Sequence, residues 1–250
     1  MPTPRRVLPF ALALALAGAA VPSAQAADGD SATWMVAPYI WAPTITADLE
    51  TPAGDVGGGG TDFFPDIVDK IEGAFLGHVE AQNDQFGFLA DVLWLKLGDD
   101  KSFAVGNTDA DLSTWLVDVA GVWSPGPDRY KGFELYGGLR FIDLELDASF
   151  DPTNPDFARR EIGPSESYFD FLAGVRYIAH FNEDWSLSIK GDGSWGQTDG
   201  TWSTAATVGW SPGSGIWALG WRYMNVELGN DDENLELDLS GPVFGYAFVF

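Results

Sequence analysis

Thr114-Trp115-Leu116-Val117-Asp118-Val119-Ala120-Gly121-Val122-Trp123 and the later Phe133-Glu134-Leu135-Tyr136-Gly137-Gly138-Leu139-Arg140-Phe141 decide the fold. Every second residue of the first stretch gives Trp115, Val117, Val119, Gly121 and Trp123; of the second, Phe133, Leu135, Gly137, Leu139 and Phe141. Neither series holds a charge, whereas the residues between them include Asp118, Glu134 and Arg140. Alternation of this kind marks a strand with two unlike faces. From Trp115 to Trp123 is about 26 Å at ~3.3 Å per residue, or roughly 20 Å of height at a tilt of about 40°. An apolar band of that height, ended by aromatic rings, matches the lipid-facing wall of a transmembrane barrel.

The same alternation recurs along the chain, and predicts ten strands at 32–47, 73–81, 86–97, 112–123, 130–150, 167–180, 185–196, 201–210, 215–228 and 235–250. Most exceed the five or six residues usual in soluble proteins and suit a membrane crossing of about 9–11 residues. Connections alternate between tight turns (82–85, 124–129, 181–184, 211–214) and mostly longer acidic segments (48–72, 98–111, 151–166, 197–200, 229–234). One helix is predicted, at 62–72. Trp123-Ser124-Pro125-Gly126 recurs as Trp210-Ser211-Pro212-Gly213, and Gly138-Leu139-Arg140-Phe141 as Gly174-Val175-Arg176-Tyr177 and Gly220-Trp221-Arg222-Tyr223. Their unequal spacing excludes a solenoid or propeller and marks equivalent places on different hairpins. The expected fold is all-β: an up-and-down antiparallel transmembrane β-barrel of about ten strands, with eight and twelve as the neighbouring counts.

The charged parity holds His78, Glu80, Asp91, Asp118, Glu134, Arg140, Asp170, Arg176, Lys190, Asp192 and Arg222. An Arg or Lys facing lipid at the midplane costs about 2–4 kcal/mol, so these residues are expected to form a lumen charge network. A register opposing Glu134 with Arg176 also opposes Arg140 with Asp170, and centres that hairpin on Pro155. In the last strand, Leu235, Leu237 and Leu239 are odd-numbered while Phe244, Tyr246, Phe248 and Phe250 are even. The change of parity predicts a bulge at Gly241-Pro242.

On that C-terminal aromatic strand, the ring girdles and the Gly-x-Arg-aromatic repeats, the chain resembles outer-membrane β-barrel proteins, most closely small barrels of the OmpA and opacity-protein type. The resemblance implies insertion among outer-membrane lipids. It also implies that Phe244, Tyr246, Phe248 and Phe250 act as an assembly signal read by the barrel-assembly machinery. It does not imply one function, and the count of about ten strands departs from the eight-stranded members.

Composition narrows the rest. The 250 residues are 46% hydrophobic and 14% aromatic, with no Cys and two His, which excludes bulk disorder, a disulfide framework and a Cys-ligated metal. A net charge of −24 excludes a nucleic-acid partner. Residues 1–26 read as a cleavable signal peptide, with Arg5-Arg6, an apolar run from Val7 to Val21, and Ala24-Gln25-Ala26 as the cleavage pattern. Its removal takes two of the 13 basic residues and none of the 37 acidic ones, so the charge falls from −24 to −26. Residues 27–250 form the expected barrel domain of an exported outer-membrane protein.

No cofactor motif survives inspection. The tetraglycine at 57–60 is followed by Thr61-Asp62 and lacks the Lys-Ser or Lys-Thr of a phosphate loop. Asn107-x-Asp109-x-Asp111 lacks the Gly and Glu of a calcium loop; with Asp231-Asp232-Glu233 it offers acidic loops for weak divalent-cation binding. His78 and Asp91 fall within register reach and orient a general base in the enzyme alternative, but no nucleophile accompanies them. The leading expectation is a non-enzymatic barrel with a structural or surface-recognition role, or one passing small solutes. The alternatives are an outer-membrane enzyme and a soluble lipocalin-like binder.

Overall fold

The computed structural model describes residues 32–51, 54–55, 60–62, 70–103, 106–126, 128, 130–152, 160–162, 165–229 and 234–250. Residues 1–26, expected to be a signal peptide, Pro155 and Asp231-Asp232-Glu233 lie outside these residues. Ten wall positions close into one antiparallel barrel. The first is β1 (Thr33–Trp41) continued by β2 (Thr44–Thr51). Two short pieces, β3 (Gly54–Asp55) and β4 (Gly60–Asp62), pair onto β2. The wall proceeds through β5 (Ile71–Gln82), β6 (Phe86–Phe103), β7 (Gly106–Trp123) and β8 (Gly132–Pro152). A short β9 (Arg160–Ile162) pairs on β8. Then follow β10 (Ser165–His180), β11 (Trp185–Gly196), β12 (Gly200–Trp210), β13 (Gly215–Gly229) and β14 (Asn234–Val249).

Closure comes from β14 pairing with β1 and β2. Trp34 N donates to Phe250 O at 2.7 Å and Phe250 N to Trp34 O at 3.0 Å. A closed wall leaves no strand edge unsatisfied in lipid. Two of the tight turns are set by asparagine. Asn83 Oδ1 accepts from the backbone of Gln85 and Phe86, at 3.0 and 2.7 Å, and Asn182 Oδ1 from Asp184 and Trp185, both at 2.9 Å. These are Asx turns that satisfy the backbone as the chain reverses.

The exterior belt is aromatic at both rims. Trp123, Trp185, Trp210 and Trp217 are exposed beside the short turns. Trp115, Trp195, Trp202 and Trp221 are exposed toward the long-loop end. Between them Val119, Leu135, Leu139, Val175 and Leu219 face outward. This belt assigns the charge-free parity to lipid.

Four expectations change. Asp62 belongs to β4, and Ile71 and Glu72 open β5, so the ends of the predicted helix are strand; residues 63–69 lie outside the described residues. The predicted first strand is interrupted at Ala42-Pro43, since proline carries no donor for the ladder. One expected long loop, 98–111, is largely strand: β6 and β7 stay paired from Phe86↔Trp123 to Phe103↔Gly106, and β8 runs two residues past its expected end, to Pro152. Asn107, Asp109 and Asp111 therefore sit on a ladder and not in a loop. The bulge at Gly241-Pro242 is absent. The β13–β14 register runs unshifted from Gly215↔Phe248 through Arg222↔Gly241 to Gly229↔Asn234.

Gly241 answers a different need. A Cβ there would lie 2.7 Å from Pro43 Cα and closer still to the Ala42 carbonyl oxygen, so glycine permits the break between β1 and β2 to pass alongside. The apparent parity change has its own cause. Beyond the long-loop girdle the wall keeps its faces and exchanges their polarity. Trp41, Leu116, Ile142, Met224, Val226 and Leu228 form a buried cluster inside the barrel, joined by Leu93, Leu144, Leu235, Leu237 and Leu239. On the outer face at this level stand Lys96, Asp143, Glu145, Glu236 and Asp238. The barrel thus continues past the lipid belt as a segment that is apolar inside and charged outside.

Candidate functional site

The lumen between the leucine-lined end and the short turns carries the candidate site. Pleating points Glu80 and His78 of β5, Asp91 of β6, Asp118 of β7, Glu134 and Arg140 of β8 inward, along with Asp170 and Arg176 of β10, Lys190 and Asp192 of β11, and Arg222 of β13. Glu80, Glu134, Arg140 and Asp170 are almost fully buried.

Two arginines organise the layer. Arg176 donates from Nε to Glu134 at 2.5 Å and from its two terminal nitrogens to Glu80 at 2.8 and 2.5 Å. Arg140 grips Asp118 with two bonds of 2.7 Å, and reaches Asp192 at 3.0 Å and Thr201 Oγ1 at 2.6 Å. Bidentate arginine–carboxylate pairing is among the stronger ionic contacts. It relieves the direct apposition of Asp91 and Asp118 across β6 and β7, which repels when left alone.

The register opposes Glu134 with Arg176 and Arg140 with Asp170. Only the first pair bonds. Asp170 instead accepts from Ser194 Oγ at 2.9 Å, from the backbone of Gln197 at 2.8 Å and Thr198 at 3.1 Å, and from the Thr198 hydroxyl. It braces the 197–199 turn, which frees Arg140 to turn toward Asp118.

His78 stands between two carboxylates, Nδ1 3.2 Å from Asp91 and Nε2 3.1 Å from Glu80. In a hydrolytic triad the second ring nitrogen faces a nucleophile; here it faces Glu80. Asp91 also accepts from Tyr39 OH at 2.8 Å, and Tyr39 in turn accepts from Arg222 Nη1 at 3.3 Å. Arg222 lies 4.8 Å from the centre of the Trp41 ring, a cation–π distance. Tyr136 OH and Ser203 Oγ donate to Asp192 at 3.0 and 2.8 Å.

These tyrosines and hydroxyls are the partners that sequence reading missed. Tyr39 and Tyr136 share the lumen parity with the charges, and that parity is the signal that could have found them.

Around this layer the lumen divides. On the β6–β10 side Leu89, Ala120, Val122, Tyr136 and Leu172 fill it. On the opposite side lies a cavity of about 250 Å³. Ala37, Ile178, Ala205, Ala218 and Ala247 contribute to its wall, and His78, Asp91, Arg176, Lys190 and Arg222 border it.

A closed wall, a belt bounded by rings and a charged interior together make this a membrane barrel. The fold is an up-and-down antiparallel β-barrel of ten wall positions. It is similar to the outer membrane protease OmpT from Escherichia coli, at 9% identity over 91% of this chain and 99% of that one, TM-score 0.49. It is similar also to Ail, the attachment invasion locus protein of Yersinia pestis, at 10% identity over 86% and 99%, TM-score 0.38. OprG from Pseudomonas aeruginosa aligns at 11% identity over 89% and 97%, TM-score 0.36. No protein-family model and no curated protein sequence matches the chain.

Proposed function

We propose that this chain is a closed, non-conducting barrel of the outer membrane, with its short turns toward the periplasm and its acidic segment above the lipid serving support or surface recognition. One observation carries this reading: Arg176 of β10 is bonded to Glu80 of β5 across the lumen, with the apolar cluster around Trp41 and Met224 packed beyond it. An aqueous path would have to break both layers. The acidic exterior, including Glu145, Asp147 and Glu236, suits contact with cationic surfaces or with divalent ions bridging to lipid phosphates. The engaged His78 ring favours a structural role over general-base catalysis.

Planar-bilayer recording of the purified mature chain tests the reading. Silence at moderate voltage is expected, and steady cation-selective steps would overturn it in favour of solute passage. A second arm compares Arg176→Ala with wild type: brief openings in the variant alone are expected once the cross-lumen clamp is cut.

A further inference from the structure

One rung of the wall collects three cations. Glu134 opposes Arg176, Arg176 opposes Lys190, Lys190 opposes Ala205, and Ala205 opposes Arg222. Like charges placed directly opposite each other destabilise a strand pair unless compensated. Arg176 is compensated by Glu80 and Glu134. Lys190 has no such close partner: among the described residues its amine has neither a hydrogen bond nor a carboxylate within 4.0 Å. The acids acting on it, Asp91 and Asp192, are already engaged by Tyr39 and His78 and by Arg140, Tyr136 and Ser203. Arg222, 4% exposed, is also under-used, because its Nε has no hydrogen-bond partner among the described residues and its nearest carboxylate, Asp91, lies 3.7 Å away. A buried guanidinium nitrogen without an acceptor is costly and calls for one.

Both cations border the cavity, as do Arg176 and Asp91, and Ala205 between Lys190 and Arg222 leaves the space that a larger side chain would fill. Strands two positions apart are separated by roughly 9.5 Å, so a small anion above Ala205 can be held by Lys190 on one side and Arg222 on the other. Toward the short turns Ile178, Ile216, Ala218 and Ala247 give the lining an apolar side, and Ser186, Ser188, Thr207 and His180 a polar one. At about 30 Å³ per water-sized group, 250 Å³ admits on the order of eight non-hydrogen atoms.

We propose that this cavity is a binding site, entered from the short-turn end, for a small monocarboxylate with a short alkyl chain. The carboxylate lies between Lys190 and Arg222 over Ala205, and the chain lies against Ile216, Ala218 and Ala247. The proposal goes beyond the closed-barrel reading, and binding can be measured whether or not the barrel conducts.

The test is calorimetric titration of hexanoate into the mature protein in zwitterionic-lipid nanodiscs, with empty nanodiscs as the blank. Saturable one-to-one binding is expected, with hexylamine and hexanol at least tenfold weaker. Lys190→Met is expected to weaken hexanoate tenfold or more. Ala205→Glu places a carboxylate of the chain's own on the same spot; it is expected to abolish hexanoate binding and raise the thermal midpoint. Equal binding of hexanol, unchanged affinity in Lys190→Met, or a lowered midpoint with binding retained in Ala205→Glu would each overturn the proposal. Loss of hexanoate binding on adding anionic lipid to the disc would overturn the free carboxylate as occupant and assign the site to a lipid headgroup.

Discussion

Arg176 and Glu80 stand four wall positions apart and meet across the lumen, with Arg176 Nη2 2.5 Å from Glu80 Oε1. The same guanidinium holds Glu134 on the adjacent strand through Nε at 2.5 Å. One side chain therefore ties together two acids, both without solvent exposure, from strands three wall positions apart. The arrangement follows from alternation and closure together: pleating turns all three residues inward, and a ten-position ring is narrow enough for an arginine to cross.

Breaking that clamp leaves uncompensated buried charge, which costs about 3–5 kcal/mol when one partner of a buried pair is removed. Arg176→Glu is expected to lower the unfolding midpoint in urea sharply. Adding Glu134→Arg restores the β8–β10 pair but leaves Glu80 facing a glutamate, so recovery should be partial, and replacing Glu80 with Gln in that background should recover more. Additive losses in the double variant would show that Glu134 and Arg176 do not interact.

The edge of the lipid belt can be located by placing one charge on either side of it. Val119 is exposed between Trp115 and Trp123, whereas Glu145 faces outward beyond the girdle. Val119→Arg is expected to cost about 2–4 kcal/mol in lipid, as an arginine does near the midplane. Glu145→Arg should change stability by less than about 0.5 kcal/mol, as surface replacements usually do. Equal effects, read from reversible unfolding in vesicles, would mean that the belt does not end at Trp115.

Most of the wall was legible because its signal is one of period. All ten wall strands, the inward set of charges and the Glu134–Arg176 register follow from counting alternate residues. What misled was the assumption that polarity on a face stays constant. Leu235, Leu237 and Leu239 point inward like Val243 and Ala247 on the same strand, but they lie beyond the lipid, where water surrounds the wall and the interior must be the apolar side. Read as lipid-facing, they demanded a bulge that the register does not contain. Arg140 stands opposite Asp170 as the register requires, yet bonds Asp118. Opposition across a ladder names neighbours, while the length of an arginine and the competing needs of the 197–199 turn decide which neighbour it bonds.

Gly241 offers a backbone test of the same strand. A methyl group there would press into the Ala42 carbonyl and Pro43, backbone atoms that cannot swing away as a flexible side chain would. Gly241→Ala is expected to destabilise by about 1–3 kcal/mol, the usual range for forced overpacking. Gly213, in a short turn, has nothing within 4 Å of a built Cβ, so Gly213→Ala should be tolerated. Equal midpoints for the two variants would indicate that β14 and the β1–β2 break are farther apart than the register places them.

The terminal residue separates folding from delivery. Phe250 closes the barrel through its backbone, bonded in both directions to Trp34, while its side chain is exposed, as are Phe248 and Phe244 on the same face. Phe250→Asp keeps both backbone bonds and removes only the ring, so refolding into detergent should yield the usual heat-modifiable form with a stability loss within about 1 kcal/mol, in the range for exposed positions. Within the cell a different outcome is expected. If the aromatic series Phe244, Tyr246, Phe248 and Phe250 is what the assembly machinery reads, the variant should be exported and processed normally yet reach the outer membrane at a small fraction of the wild-type level. Phe244→Asp, which leaves the terminal residue in place, provides the comparison: it puts a charge in the lipid belt and should fail in detergent and cell alike. Wild-type amounts of folded, membrane-inserted Phe250→Asp would refute the signal role, and failure to refold in detergent would show that the ring is structural instead.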